Sequence, residues 1–319
     1  MSEIDELVRV SGYSRSTVFR YLAGKPVRPA AADAIRTAAR AVGFRREAPA
    51  PREDATILLS VPPDFRGFRG FADAAEGVMR RAAERGVPVV FDDAHAGGRR
   101  VAVVVLGMGE REEDEERKIR RDRGEPCVLI NRMVEGADAS WASVDFRAAA
   151  AEAVERLAAA GCRRIACFAP GENRRVDKQK AEGAARALSG TAGSEPRPEF
   201  ALVDPAGRTA EEAAREALDR SDRPDGWLAL SDEDAMRVIR AADGLGFRVP
   251  ADLSVVGMND TEGAAYFSPA ITTIRVPFAA CGEAAVDAAL RLLDYPDELS
   301  VRITLRHALI ERESCAPVR

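Results

Sequence analysis

From residue 57 onward, short apolar runs alternate with longer amphipathic stretches. Ile57 to Val61, Val87 to Phe91, Val101 to Leu106 and Cys127 to Asn131 read as buried strands. Phe65 to Arg85 carries Phe68, Phe71, Ala75, Val78 and Met79 at helical spacing and is ended by Gly86. The rhythm then resumes. Helices are expected at Ala148 to Ala160, around Lys178 to Leu188, at Ala210 to Leu218 and at Asp232 to Gly244. Strands are expected between them at Arg164 to Phe168, Phe200 to Val203, Gly226 to Leu230 and Leu253 to Gly257. This alternation excludes most folds. A strand apolar on both faces needs helices above and below it, and parallel neighbours need a helical crossover between them. Two doubly wound units are predicted. Ligands of such sheets bind beyond the carboxyl ends of the strands, so two units facing each other form a cleft.

The first residues follow a different rule. Ile4, Leu7 and Val8 fall on one helical face, and Gly12 breaks the helix. Ser14 is placed to cap a second helix, in which Val18, Tyr21 and Leu22 point back at the first. Arg15, Ser16, Phe19 and Arg20 remain on the outside. Two short helices joined by a tight turn form a helix-turn-helix, whose second helix enters the major groove of DNA. Charge agrees with that use. Residues 1–47 hold nine basic and five acidic side chains, a surplus of +4, while the whole chain carries −5. A basic head on an acidic body suits a head that meets phosphates.

Residues 48–55 read as a linker, because Pro49 and Pro51 lack N–H donors and disfavour helix before them. No apolar run is long enough to span a bilayer, and no signal sequence is expected, so the sequence reads as cytoplasmic with no membrane partner. The five cysteines form no CxxC pair and are expected as buried free thiols, with no metal or other cofactor. Enzyme chemistry fits poorly. His95 and His307 are the only histidines, and Gly107-Met108-Gly109 lacks the third glycine of a dinucleotide fingerprint. The mixed-charge run from Glu110 to Arg123 reads as a solvated helix face.

The head resembles that of the LacI/GalR family of transcription repressors, through the Ile4-to-Val8 helix, Ser11-Gly12-Tyr13-Ser14, Thr17-Val18, Arg20 and Leu22-Ala23-Gly24-Lys25. Ala32 to Phe44 is similar to that family's third helix and its closing glycine–aromatic pair. The body resembles the family's effector core, itself similar to periplasmic binding proteins. The most specific block is Val249-Pro250-Ala251-Asp252-Leu253-Ser254-Val255-Val256-Gly257-Met258-Asn259-Asp260, continuing into Ser268-Pro269-Ala270-Ile271-Thr272-Thr273-Ile274. Ser143-Val144-Asp145, Ser231-Asp232 and Arg312-Glu313-Ser314 agree with it.

The resemblance implies a small all-α helix-turn-helix head at 1–47, the linker, and a two-subdomain α/β core of doubly wound parallel sheets at 56–319. Subdomain 1 is expected at about 56–160 and 275–302, and subdomain 2 at about 161–274 and 303–319. The chain is expected to cross between them near 158–162, 272–276 and 300–305. The implied partners are double-stranded operator DNA, a small-molecule effector, sugar or sugar phosphate, and a second copy in a homodimer. The implied DNA-reading residues are Arg15, Ser16, Thr17, Phe19, Arg20 and Lys25. Phe19 either contacts a thymine methyl or packs under the third helix.

The implied effector residues are Phe65, Arg66, Phe68, Asp145, Lys180, Ser231, Asp232 and Asn259, with Arg174 and Arg175 within reach. Three departures from the family stand out. The linker is short and has no Leu to wedge into the minor groove. Only Asp92 to Arg100 fills the place of a helix between the second and third strands. Lys180 and Asn259 stand where the family has Arg and Asp, a change toward an anionic or phosphorylated ligand. Two functions follow: an effector-switched repressor, or a ligand-binding dimer whose operator binding is weakened by loss of the hinge helix.

Overall fold

The structure is a computed structural model that describes residues 3–22, 27–41, 54–61, 69–91, 99–107, 109–171, 174–190, 198–295 and 299–317. The head consists of α1 (Glu3–Ser11), α2 (Arg15–Leu22) and α3 (Pro29–Ala41). Leu7, Val18, Ile35 and Ala38 form its core, flanked by Val8, Tyr13 and Tyr21. Gly12 takes a φ of 72°, which lets α1 turn into α2 without a Cβ penalty. Ser14 Oγ accepts the Thr17 N–H at 3.3 Å and so caps α2 as its sequence predicts. The third helix begins at Pro29, ahead of the expected Ala32, because a proline in the first turn has no N–H to leave unpaired. Lys25, Gly43-Phe44, residues 48–53, the Phe65–Phe68 loop and residues 92–98 lie outside the described residues.

The core contains two sheets. Its elements are β1 (Ala55–Ser60), α4 (Arg69–Glu84), β2 (Val89–Val90), β3 (Arg100–Val105), α5 (Glu110–Asp122), β4 (Cys127–Ile130), β5 (Ser140–Val144), α6 (Phe146–Ala159), β6 (Arg164–Phe168), α7 (Arg175–Gly190), β7 (Glu199–Val203), α8 (Ala210–Leu218), β8 (Gly226–Leu228), α9 (Asp232–Asp243), β9 (Ser254–Asn259), α10 (Glu262–Tyr266), β10 (Thr272–Arg275), α11 (Phe278–Asp294), β11 (Arg302–Leu305) and β12 (Ala308–Ile310). One sheet is ordered β11-β5-β4-β3-β1-β2 and the other β12-β10-β9-β8-β6-β7. Every described pairing is parallel except β10 with β12.

The chain passes between the sheets at Asp145, again at Val276-Pro277 and again at Arg306-His307. The first passage corrects the expectation of a crossing near 158–162. Helix α6 was expected to close the first unit, yet it packs on β8, β9, β10 and β12 of the second. Its buried face of Ala149, Ala150, Ala153, Val154 and Leu157 is narrow and small, and α7 lies close against it. A Cβ on Gly183 of α7 would fall 2.2 Å from the Arg147 carbonyl oxygen. Alternation predicts that a helix follows a strand. It does not say which sheet the helix covers.

Smaller differences lie in burial. Met79 is 46% exposed and Phe91 62% exposed, although apolar spacing put both inside. Strand β2 is only two residues long, so little of the Val87-to-Phe91 run is covered. Helix α5 is a helix as expected, but Glu113 and Arg120 within it are buried rather than solvated. All five cysteines are free thiols, and burial pushes those of Cys162 and Cys281 up to about 12.

Candidate functional site

In the head, Arg15, Ser16, Phe19 and Arg20 are exposed on α2 and Thr17 is half-buried. The Arg15 guanidinium lies 3.1 Å from Asp5 Oδ1 and 5.8 Å from the centre of the Phe19 ring. Phe19 is 45% exposed and stands outside the head's core cluster, which removes the alternative in which it packs inward. The face is thus a cationic and aromatic surface at the start of a helix, aimed away from its own core.

In the core, backbone strain collects at strand ends. Asn131, just after β4, has φ 55°; Asn259 and Asp260, at the end of β9, have φ 113° and 57°. Left-handed conformations are costly for side chains with a Cβ and recur where a backbone is held for a ligand. Asp145 lies at the first passage between sheets. Its Oδ1 accepts the N–H groups of Arg147 and Ala148 at 2.9 and 3.1 Å, capping α6. Its Oδ2 keeps both lone pairs free among the described residues.

Lys180 is buried, and its ammonium faces three groups of the protein. It donates to the Leu230 carbonyl at 2.5 Å, lies 3.6 Å from Asp177 Oδ1, and sits 5.4 Å over the Phe146 ring. Burial draws its pKa below the usual lysine value against the pull of Asp177. Burial also opposes ionisation of Asp177, but Lys180 and Arg174 outweigh it and that carboxyl stays below its usual range. Arg174 Nε donates to Asp177 at 2.7 Å. The positive charge that the sequence places here is thus partly balanced by Asp177.

Ser231 caps α9 by accepting the Asp234 N–H at 3.1 Å, which leaves its hydroxyl proton to donate. Asp232 is a correction. It has no exposed surface, and its two oxygens accept the Thr273 hydroxyl at 2.5 Å and the Thr261 N–H at 2.6 Å. It ties α9 to the ends of β9 and β10 from a buried position, behind the exposed surface of the site. Asn259, in contrast, is 7% exposed, and its amide has no partner among the described residues.

Asn259 lines a cavity of about 470 Å³ with Asp73 and Arg80 of α4, Arg275 at the end of β10, and Phe278 of α11. Arg275 and Arg312 each hold Asp260 at 2.6 Å, and Arg80 is paired with Glu283. Asp73 has no partner among the described residues. Sequence reading missed Asp73, Arg275 and Phe278. The Thr272-Thr273-Ile274 block marks the end of a strand, which is where a site is built, and Arg275 directly after it and Phe278 four residues on were available as a signal. Asp73 gave none, since an acidic residue on a helix usually faces solvent. Phe65, Arg66 and Phe68 lie outside the described residues.

Comparison with known proteins follows this geometry. Residues 154–315 match the family model of a periplasmic binding protein-like domain. An HTH-type transcriptional regulator encoded in the aml 5' region of Streptomyces limosus is 31% identical, over 95% of this chain and 91% of that protein. The HTH-type transcriptional regulator reg1 of Streptomyces lividans is 32% identical, over 89% of this chain and 88% of that one. Among solved structures, a complex of the transcriptional regulator CelR with cellobiose matches with a TM-score of 0.69 at 24% identity, over 98% of this chain and 100% of that one. At that identity the likeness is one of fold.

Proposed function

Since the chain belongs to the LacI/GalR family of DNA-binding transcription regulators, we propose that it is a cytoplasmic repressor whose core answers to a neutral, polyhydroxylated ligand of the saccharide class. The head reads the operator through Arg15, Ser16, Thr17, Phe19, Arg20 and Lys25. Two copies pair, because one such head reads only a half-site. The ligand sits at the strand ends, against Asp145, Ser231, Asn259 and Asp73.

One observation carries the choice of ligand. The described cations at these strand ends already hold oxygens of the protein: Lys180 holds Leu230 and Asp177, Arg174 holds Asp177, and Arg275 and Arg312 hold Asp260. The groups left over are Asp145 Oδ2, the Asp73 carboxylate, the Ser231 hydroxyl and the Asn259 amide. These accept from hydroxyls and donate to them. Each of these cations already faces an oxygen of the protein, so a phosphate meets a site whose positive charge is largely balanced, while a hydroxyl needs no counter-charge. The site therefore favours the sugar over the sugar phosphate that Lys180 and Asn259 suggest by sequence.

Thermal shift tests the reading, because a ligand that binds only the folded state raises its stability by mass action. Cellobiose or maltose is expected to raise the melting temperature, and glucose 6-phosphate is not. A shift with the phosphate alone overturns the assignment. A gel shift of the chain's own upstream DNA, reversed or strengthened by the active sugar, tests the regulatory half.

A further inference from the structure

The charged run from Glu110 to Arg123 has no part in the sites described so far. Its acidic start lies on α5, in the first subdomain, and it meets the basic start of α7, in the second. Arg175 Nη2 of α7 lies 3.0 Å from both carboxylate oxygens of Asp114. Its Nε is 3.3 Å from Glu113 and its Nη1 3.6 Å from Glu110. Lys178 Nζ reaches Glu110 at 2.8 Å. Behind these pairs, Gln179 Nε2 donates to the Met133 carbonyl at 2.7 Å, from the second subdomain to the first.

We propose that this α5–α7 contact is a latch, which holds the two subdomains closed on each other before any ligand binds. Three observations support a latch over a chance surface pairing. Glu113 is 1% exposed; Arg132 of its own subdomain donates to it at 2.9 Å, and Arg175 Nε of the other lies 3.3 Å from its second oxygen as an ion pair without a hydrogen bond. Opening the contact takes the Arg175 guanidinium away from this carboxylate, which costs their mutual attraction in a site now screened from water. Arg175 and Lys178 lie three apart on one face of the α7 first turns, and Glu110, Glu113 and Asp114 lie on one face of α5 at matching spacing. The contact also involves none of the three passages between the sheets, so it closes the subdomains at a place where no chain connection holds them.

The consequence is a population effect. A ligand shifts an equilibrium only by its differential affinity for the two states. If the protein's own charges already favour closure, a ligand at the strand ends binds a preformed cleft, and regulation depends on ionic strength as well as on ligand. The inference goes beyond the ligand reading and is measured with no ligand present, so failure of one leaves the other standing.

The test is a charge-reversal cycle in the full chain, read by small-angle X-ray scattering. Lys178→Glu and Glu110→Lys each put like charges across the contact. Both positions are partly exposed, so folding is expected to survive, and circular dichroism checks it. Each single reversal is expected to raise the open-to-closed ratio by at least about tenfold and to enlarge the radius of gyration. The double variant, with the pair restored in the opposite sense, is expected to close again. Raising sodium chloride toward 1 M is expected to open the parent, since screening weakens the exposed pairs. Single reversals that scatter like the parent overturn the latch, and so does a double variant as expanded as the singles.

Discussion

Asp232 is a carboxylate with no exposed surface, and burial pushes its pKa up to about 6 despite hydrogen bonds from Thr273 and Thr261. In the unfolded chain it returns to about 3.9. Between those values the folded state binds more protons than the unfolded one, so stability falls as pH rises through this window. Lowering the pH from 7.5 to 5.5 is expected to gain about 1 kcal/mol from this residue. Asp232→Asn should abolish that gain, measured as the difference between the two proteins' denaturant midpoints at each pH; an unchanged difference refutes the assignment. At the head, Arg15→Ala should relax base preference at one operator position by about 1–3 kcal/mol. Arg20→Ala should weaken all sequences alike and flatten the salt dependence of binding, read by titration at several salt concentrations. The outward placement of Arg15, Ser16 and Phe19 on α2 was legible from helical spacing alone. The roles of Lys180 and Asp232 were not, because their partners Leu230, Thr261 and Thr273 come together only when the second sheet is assembled.

At the scale of elements, local pattern was a good guide to what each segment is and a poor one to where it goes. Strand β6 and helix α8 begin and end where the sequence put them, because Gly161 and Thr209 mark their approaches and their apolar periods are clean. Helix α6 went to the other sheet. Its run of alanines packs wherever a neighbour comes close enough, and closeness was set by Gly183, far along the chain. Gly183→Ala is therefore expected to destabilise the core by about 1–3 kcal/mol through overpacking, and Gly77→Ala similarly, since a Cβ there would meet the Ala279 carbonyl oxygen of α11. Gly207→Ala, in open space but at φ 80°, should cost only local backbone strain. Equal melting temperatures for Gly183→Ala and the parent would contradict the packing described for α6 and α7.

For the whole molecule, the proposed pairing of two chains can be tested at exposed apolar side chains. Tyr266 is 83% exposed on α10, and Met79 is 46% exposed on α4. Sedimentation is expected to show a dimer, and Tyr266→Glu or Met79→Glu to weaken it together with operator binding; a monomeric parent that still binds a palindrome tightly would count against the pairing. Another consequence follows from how the last segments are used. Helix α11 and strand β11 complete the first sheet's subdomain, and β12 with residues 312–316 completes the second's. There Ser314 Oγ donates to the Val255 carbonyl at 2.6 Å and accepts the Thr272 N–H at 2.9 Å. Neither subdomain is whole until residues beyond 278 have been made. On the ribosome the head can fold early, while both halves of the core wait, with half-built sheets, for the same late stretch to emerge. A nascent chain arrested near residue 270 should be cut readily by protease throughout the core and bind chaperones. Release of the remaining residues should bring protection to both subdomains together rather than one after the other.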